Sequence, residues 1–128
     1  MSSEFRVITN PKFRMWIRED GIVQLAWVTG ESLNLDDAVA VTEATATLTG
    51  GRPYPLLVDG RGGGTLERRA RAELVRGNLS VPAVALIVDT PLSRMMANFV
   101  LSVGRPAAPT KAFGDEASAV AWLSGFLP

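Results

Sequence analysis

Residues 54–77, "YPLLVDGRGGGTLERRARAELVRG", decide the fold. Behind Pro55 comes a short apolar run, Leu56, Leu57 and Val58, that ends at Asp59. The run is continuous, not alternating, and too short for a helix, so it reads as a strand buried on both faces in a parallel sheet. Three glycines follow Arg61. Residues 65–76 then predict a helix with a narrow apolar stripe of Leu66, Ala70 and Leu74. Glu67 with Arg71, and Arg69 with Glu73, stand four residues apart as pairs for its wet side, and Gly77 closes it. A strand, a glycine loop and a helix make the first part of a βαβ unit.

Downstream, "AVALIVD" (83–89) is a second continuous apolar run, again ending in aspartate, Asp89. Thr90 and Pro91 read as an N-cap and a first helical position. Leu92, Met95, Met96, Phe99, Val100 and Val103 fit one helical face, and Gly104 ends that helix. "PTKAF" (109–113) is a last short strand, and Asp115 caps a final helix carrying Ala117, Val120, Ala121, Leu123 and Phe126.

Upstream, "FRMWIRED" (13–20) alternates, with Phe13, Met15 and Ile17 on one face and Arg14, Trp16 and Arg18 on the other. Asp20 and Gly21 form a tight turn into a second β-rich run, 22–29, which predicts a hairpin. Residues 34–49 predict a helix capped by Asn34 or Ser32, with Asp36 and Asp37 at the positive end of its dipole. Ala38, Val41, Thr45 and Leu48 form its inner stripe, and Gly50 and Gly51 stop it.

The order β-β-α-β-α-β-α-β-α predicts an α/β fold. The sheet is mixed but mainly parallel, of about five strands, with an N-terminal β-hairpin and four helices. Residues 1–128 read as one domain, with 1–11 irregular or peripheral. The pattern leaves strand order open, and so whether Asp59 and Asp89 are neighbours.

Thirteen basic residues balance thirteen acidic ones, so there is no global electrostatic case for nucleic acid or an anionic membrane as partner. The chain has no cysteine and no histidine. Disulfides, thiolate nucleophiles and histidine-based triads are excluded, and no catalytic residue, metal or cofactor is predicted. The N-terminus shows no apolar signal region, and no run reaches the roughly 18–20 apolar residues of a membrane span. The expected location is the cytoplasm.

Ligands of open α/β sheets sit beyond the carboxyl ends of the strands. That places the candidate site at Asp59, Arg61, Gly62, Gly63, Gly64, Thr65, Arg68 and Asp89. A helix N-terminus behind glycines suits an anion, and the arginines could grip phosphate or an acidic partner. The spacing matches neither a Walker loop nor the dinucleotide fingerprint. A plain turn with Thr65 as helix N-cap is the alternative, and turn and capping roles account equally well for Asp59 and Asp89. The hairpin leaves an edge strand on which a homodimer could form, or which Arg14 and Arg18 would guard by charge.

"LLVDGRG" (56–62), "ALIVDTPLSRMMANF" (85–99) and "FGDEASAVAWL" (113–123) carry a resemblance. With this order of elements, the chain resembles the STAS fold, and within it the small SpoIIAA-like, STAS/Sec14-like proteins of bacteria. Phe113, Ala117, Ala121, Trp122 and Leu123 match the closing pattern of that group. The resemblance implies a non-enzymatic regulatory or binding module that meets an unknown protein partner or a small anionic ligand through the loop at 59–65. Anti-sigma-factor antagonists of this fold are phosphorylated there on a motif of roughly Asp-Ser-Ser/Thr-Gly. Here Asp59 is followed by Gly60, Arg61, Gly62, Gly63 and Gly64, so Thr65 is the one candidate phosphoacceptor. A phosphate on Thr65 would meet free helix N–H groups and Arg61 or Arg68. The alternative the resemblance offers is a Sec14-like carrier, holding a small apolar or nucleotide ligand between the sheet and the Met-rich helix.

Overall fold

A computed structural model of the chain describes residues 7–28, 30, 32–61, 67–77, 81–88 and 108–127. Six strands form one sheet: β1 (Val7–Thr9), β2 (Phe13–Ile17), β3 (Val23–Trp27), β4 (Leu56–Asp59), β5 (Val84–Ile87) and β6 (Thr110–Phe113). Their spatial order is their chain order. β1, β2 and β3 are antiparallel neighbours, and β3 to β6 are parallel. The described helices are α1 (Leu35–Thr49), α2 (Arg68–Gly77) and α3 (Glu116–Leu123), with a 3-10 turn at Ser124–Phe126.

The threonine-rich stretch of α1 is held helical by its capping box and by packing of its buried face on the sheet, while its hydroxyls turn back on the helix without adding to its stability. Thr42, Thr45 and Thr47 each donate to the carbonyl four residues back, at 3.1, 2.8 and 3.0 Å. Asn34, not Ser32, is its N-cap: Asn34 accepts the Asp37 N–H and Asp37 accepts the Asn34 N–H, a capping box. Gly50 ends it in the left-handed region at φ 60°, where a Cβ would be strained.

The sheet separates two cores. Phe13, Met15, Leu25, Trp27, Leu56 and Val84 face α1 and α2, with Val41 and Ala44 of α1 packed among them. Leu57, Ala85 and Ile87 face the other way, against Ala119 and Leu123 of α3. Right-handed crossovers from β3 to β4 and from β4 to β5 require α1 and α2 to share one face, and these helices pack on each other. The alternation expected for 13–17 holds: Phe13 and Met15 are buried, Arg14 is exposed.

Several expectations need correction. The sheet has six strands, not about five, because Val7–Thr9 pairs with β2. That stretch is peripheral, as an edge strand, but it is not irregular, and β2 is therefore not the edge that Arg14 and Arg18 would guard. The helix expected over 65–76 is described from Arg68; Thr65 and Leu66 lie outside the described residues. Glu73 is not on the wet side. It is only 7% exposed, because it stands three residues after buried Ala70 and one before Leu74, on the inward stripe. Its carboxylate pairs with Arg76, not Arg69. In α3 the buried positions are Ala119 and Leu123, while Ala117 and Ala121 are exposed. Asp115 caps α3 as expected, accepting the Ser118 N–H at 2.7 Å. The helix expected from 90 to 103 lies outside the described residues.

Candidate functional site

β4 lies inside the sheet, between β3 and β5. Its carboxyl end brings Asp59 beside Ala26 on one side and Ile87 on the other. The ladder then runs one step further, since the Gly60 N–H donates to Ile87 O at 3.0 Å. A Cβ at Gly60 would lie 3.3 Å from that carbonyl oxygen, so a side chain there asks β5 to give by a few tenths of an ångström where the chain leaves the sheet. Gly60→Val is expected to cost about 1–3 kcal/mol by overpacking, read as a fall in the urea midpoint at unchanged slope. A midpoint equal to the parent's would show that the backbone there yields freely.

Past Gly60 the chain folds back on Asp59. The Arg61 guanidinium forks onto the carboxylate, Nε to Oδ1 and Nη2 to Oδ2, both at 2.9 Å, and the Arg61 N–H adds a third bond at 3.1 Å. Arg61's side-chain hydrogen bonds hold the Asp59 carboxyl below the usual carboxylate range. Partial burial pushes the other way, and the Arg61 N–H and charge reinforce the lowering. Asp59 is thus a carboxylate at neutral pH, and it neutralises the one arginine closest to the strand end. Any anion arriving at this loop meets Arg61 already occupied by Asp59.

The N-terminus of α1 and the opening of α2 reach the same end of the sheet. The Glu67 N–H donates to Leu33 O at 3.0 Å, tying the connection into α2 to the one into α1. Lys12, just before β2, donates to Asp37 at 2.9 Å and to Ser32 O at 3.3 Å. Among the described residues, the connections into α1 and α2 and the residue before β2 are therefore laced together at this rim. Arg68, Arg69 and Arg71 of α2 are exposed on it with Glu67.

Of the residues expected at the site, the structure brings Asp59, Arg61 and Arg68 to this one end. Gly62, Gly63, Gly64, Thr65 and Asp89 lie outside the described residues. The strand order left open by the pattern makes β4 and β5 neighbours, so Asp59 stands beside the strand that leads to Asp89. The methionine-rich helix that a carrier reading needs also lies outside the described residues. Sequence reasoning missed the Lys12–Asp37 contact and the Leu33–Glu67 tie. Twenty-five residues separate Lys12 from Asp37, and no local spacing announces such a pair. Among the described residues no group of three or more histidine, cysteine, aspartate or glutamate side chains could hold a metal ion, and no helix is long and apolar enough to cross a membrane.

Comparison with known proteins matches this architecture. A crystal structure of an uncharacterised protein of the DUF3478 family from Shewanella loihica PV-4, with a SpoIIAA-like fold, superposes with a TM-score of 0.64 at 20% identity. The match covers 91% of this chain and 98% of that one. A protein with unknown function from Arthrobacter sp. FB24 is 27% identical over 86% of this chain and 97% of its own, but with a TM-score of only 0.35. No curated protein matches. The fold is thus SpoIIAA-like, as the sequence resemblance implied, and the chain belongs to the family described as "Domain of unknown function (DUF7793)", whose model matches residues 15–127.

Proposed function

We propose that this chain is a non-enzymatic binding module that presents the loop at 59–65 and the opening of α2 to a partner protein or a small anionic ligand. One observation carries the reading. A mid-sheet strand end delivers Asp59 and Arg61 to the surface beside a helix whose exposed start bears Arg68, Arg69 and Arg71. Because Asp59 already satisfies Arg61 and Asp37 pairs with Lys12, the excess positive charge of this rim comes from α2, where Glu67 just before it and Asp36 of α1 offset two of the three arginines. Recognition of a carboxylate or phosphate by guanidinium forks follows from that surface. A phosphoryl group on Thr65 would act on the same charges. The absence of histidine and cysteine from the sequence supports binding over catalysis.

The test is affinity capture and native mass spectrometry of protein purified gently from its own host, as parent and as the Arg68→Glu, Arg71→Glu double variant. The parent is expected to retain a partner or an anion that the double variant loses. Stability should stay within about 0.5 kcal/mol, as befits exposed sites. Identical retention by both proteins would remove the arginines from the site.

A further inference from the structure

Two large apolar side chains among the described residues are strongly exposed, Val7 at 48% and Val28 at 50%. Both stand on the same face of the sheet. α3 packs on β4, β5 and β6 of that face and reaches the β2–β3 turn through Glu116 on Arg18 and through Ile22, while Val7, Arg14 and Val28 stay exposed on its β1–β3 part. There Val7 pairs across from Trp16, and Thr9, Arg14, Ala26 and Asp59 form one cross-strand row. Trp16 and Ala26 are half-buried, and Val28 follows β3 with its N–H on Lys12 O at 2.9 Å. Val7, Trp16, Ala26 and Val28 thus share this face of the sheet as diagonal neighbours, with Gln24 and Arg14 set between them.

The charges on this face say what would cover it. Arg18 is fully engaged by Gln24, Asp20 and Glu116, at 3.0, 3.2 and 3.4 Å. Arg14 makes no ion pair among the described residues; its guanidinium lies over the Trp16 ring, 5.3 Å from the centroid. An exposed cation held on an aromatic plane beside valines matches a carboxylate flanked by apolar side chains. A second copy fits poorly. A two-fold axis along β2 sets Arg14 on Arg14, which like charges oppose. A membrane surface fits poorly too, since one unpaired arginine on a chain of zero net charge gives little attraction to anionic lipid.

We propose that the open face of β1–β3 is a docking surface for an acidic, apolar segment of a partner protein, with Arg14 receiving its carboxylate and Trp16 its apolar side chains. This surface is separate from the α2 arginines, so it can stand or fall without them. The probe is a capped amphipathic helical peptide with leucines on one face and glutamates bordering them, titrated into the labelled full chain and followed by amide and indole NMR shifts. Shifts are expected at Val7, Arg14, Trp16, Ala26 and Val28. Arg14→Glu should weaken binding about tenfold, the measure of one charge-assisted contact. The same peptide with lysines for glutamates should regain affinity for Arg14→Glu. Trp16→Ala should lose binding of both peptides while its amide spectrum shows the fold intact. No shifts at about 1 mM peptide, or equal binding of both peptides by the parent, would overturn the proposal. So would concentration-dependent broadening of these signals without peptide, which assigns the face to a second copy. Binding to phosphatidylserine vesicles that Arg14→Glu abolishes would assign it to a membrane and overturn it as well.

Discussion

Leu25→Ala is expected to cost about 3 kcal/mol of stability and to lower the melting temperature by about 10 °C for a chain of this size. Leu25 is 1% exposed. It sits between Met15 and Val58 in the register of β2, β3 and β4, on the face that α1 covers. Truncation removes three buried carbons, and the cavity stays because the neighbours belong to three paired strands that cannot close on it. Ala26, one residue on, faces the opposite side of the same strand and is only half-buried. Val28→Ala, two further on, removes an exposed side chain and should change stability by less than about 0.5 kcal/mol. Urea denaturation of the two variants checks both the depth of the core and the two-residue period of β3. A Leu25→Ala midpoint within error of the parent would mean that α1 does not seal this face.

Much of this arrangement is legible in the sequence, and the failures have physical reasons. The faces of β2 were readable because its polarity alternates, and the caps Asn34 and Asp115 because their side chains act within three residues. The final helix misled because "EASAVAWL" is apolar nearly all round, so its period cannot tell Ala117 and Ala121 from Ala119. Glu73 misled because its charge argues for the surface while its spacing from Ala70 argues for the interior, and it is the interior that holds it. β1 has three residues, too few for any period, and is a strand only because β2 offers it a ladder. The site shows the same division. That Asp59 ends a strand and opens a loop is local and was readable. That Arg61 turns back to neutralise it, and that Leu33 ties down Glu67, depends on where the sheet sets the two connections.

The second large effect is expected at Asp37. Its carboxylate accepts from Lys12 Nζ at 2.9 Å and from the Asn34 N–H at 2.8 Å, joining β2 to the first turn of α1 at the rim of the candidate site. Asp37→Ala removes an ion pair and half a capping box, and should cost about 2 kcal/mol at neutral pH. Burial alone would raise the Asp37 carboxyl. The Lys12 hydrogen bond, the Asn34 N–H and the Lys12 charge together outweigh it and hold the group below its ordinary value. The folded carboxyl is thus the stronger acid, and protons bind preferentially to the unfolded chain. Its stabilisation is complete above the unfolded value of about 3.9 and is lost as pH falls through the lower folded value. The stability gap between parent and Asp37→Asn should therefore be widest near neutrality and narrow steadily toward about pH 2. Asp59, lowered by Arg61, titrates in the same sense, so Asp37→Asn should keep part of the parent's acid sensitivity, and adding Asp59→Asn should remove more of it. Denaturant midpoints at several pH values decide the matter. A gap that does not change with pH would place the worth of Asp37 in capping geometry alone and deny Lys12 any electrostatic share in holding α1 to the sheet.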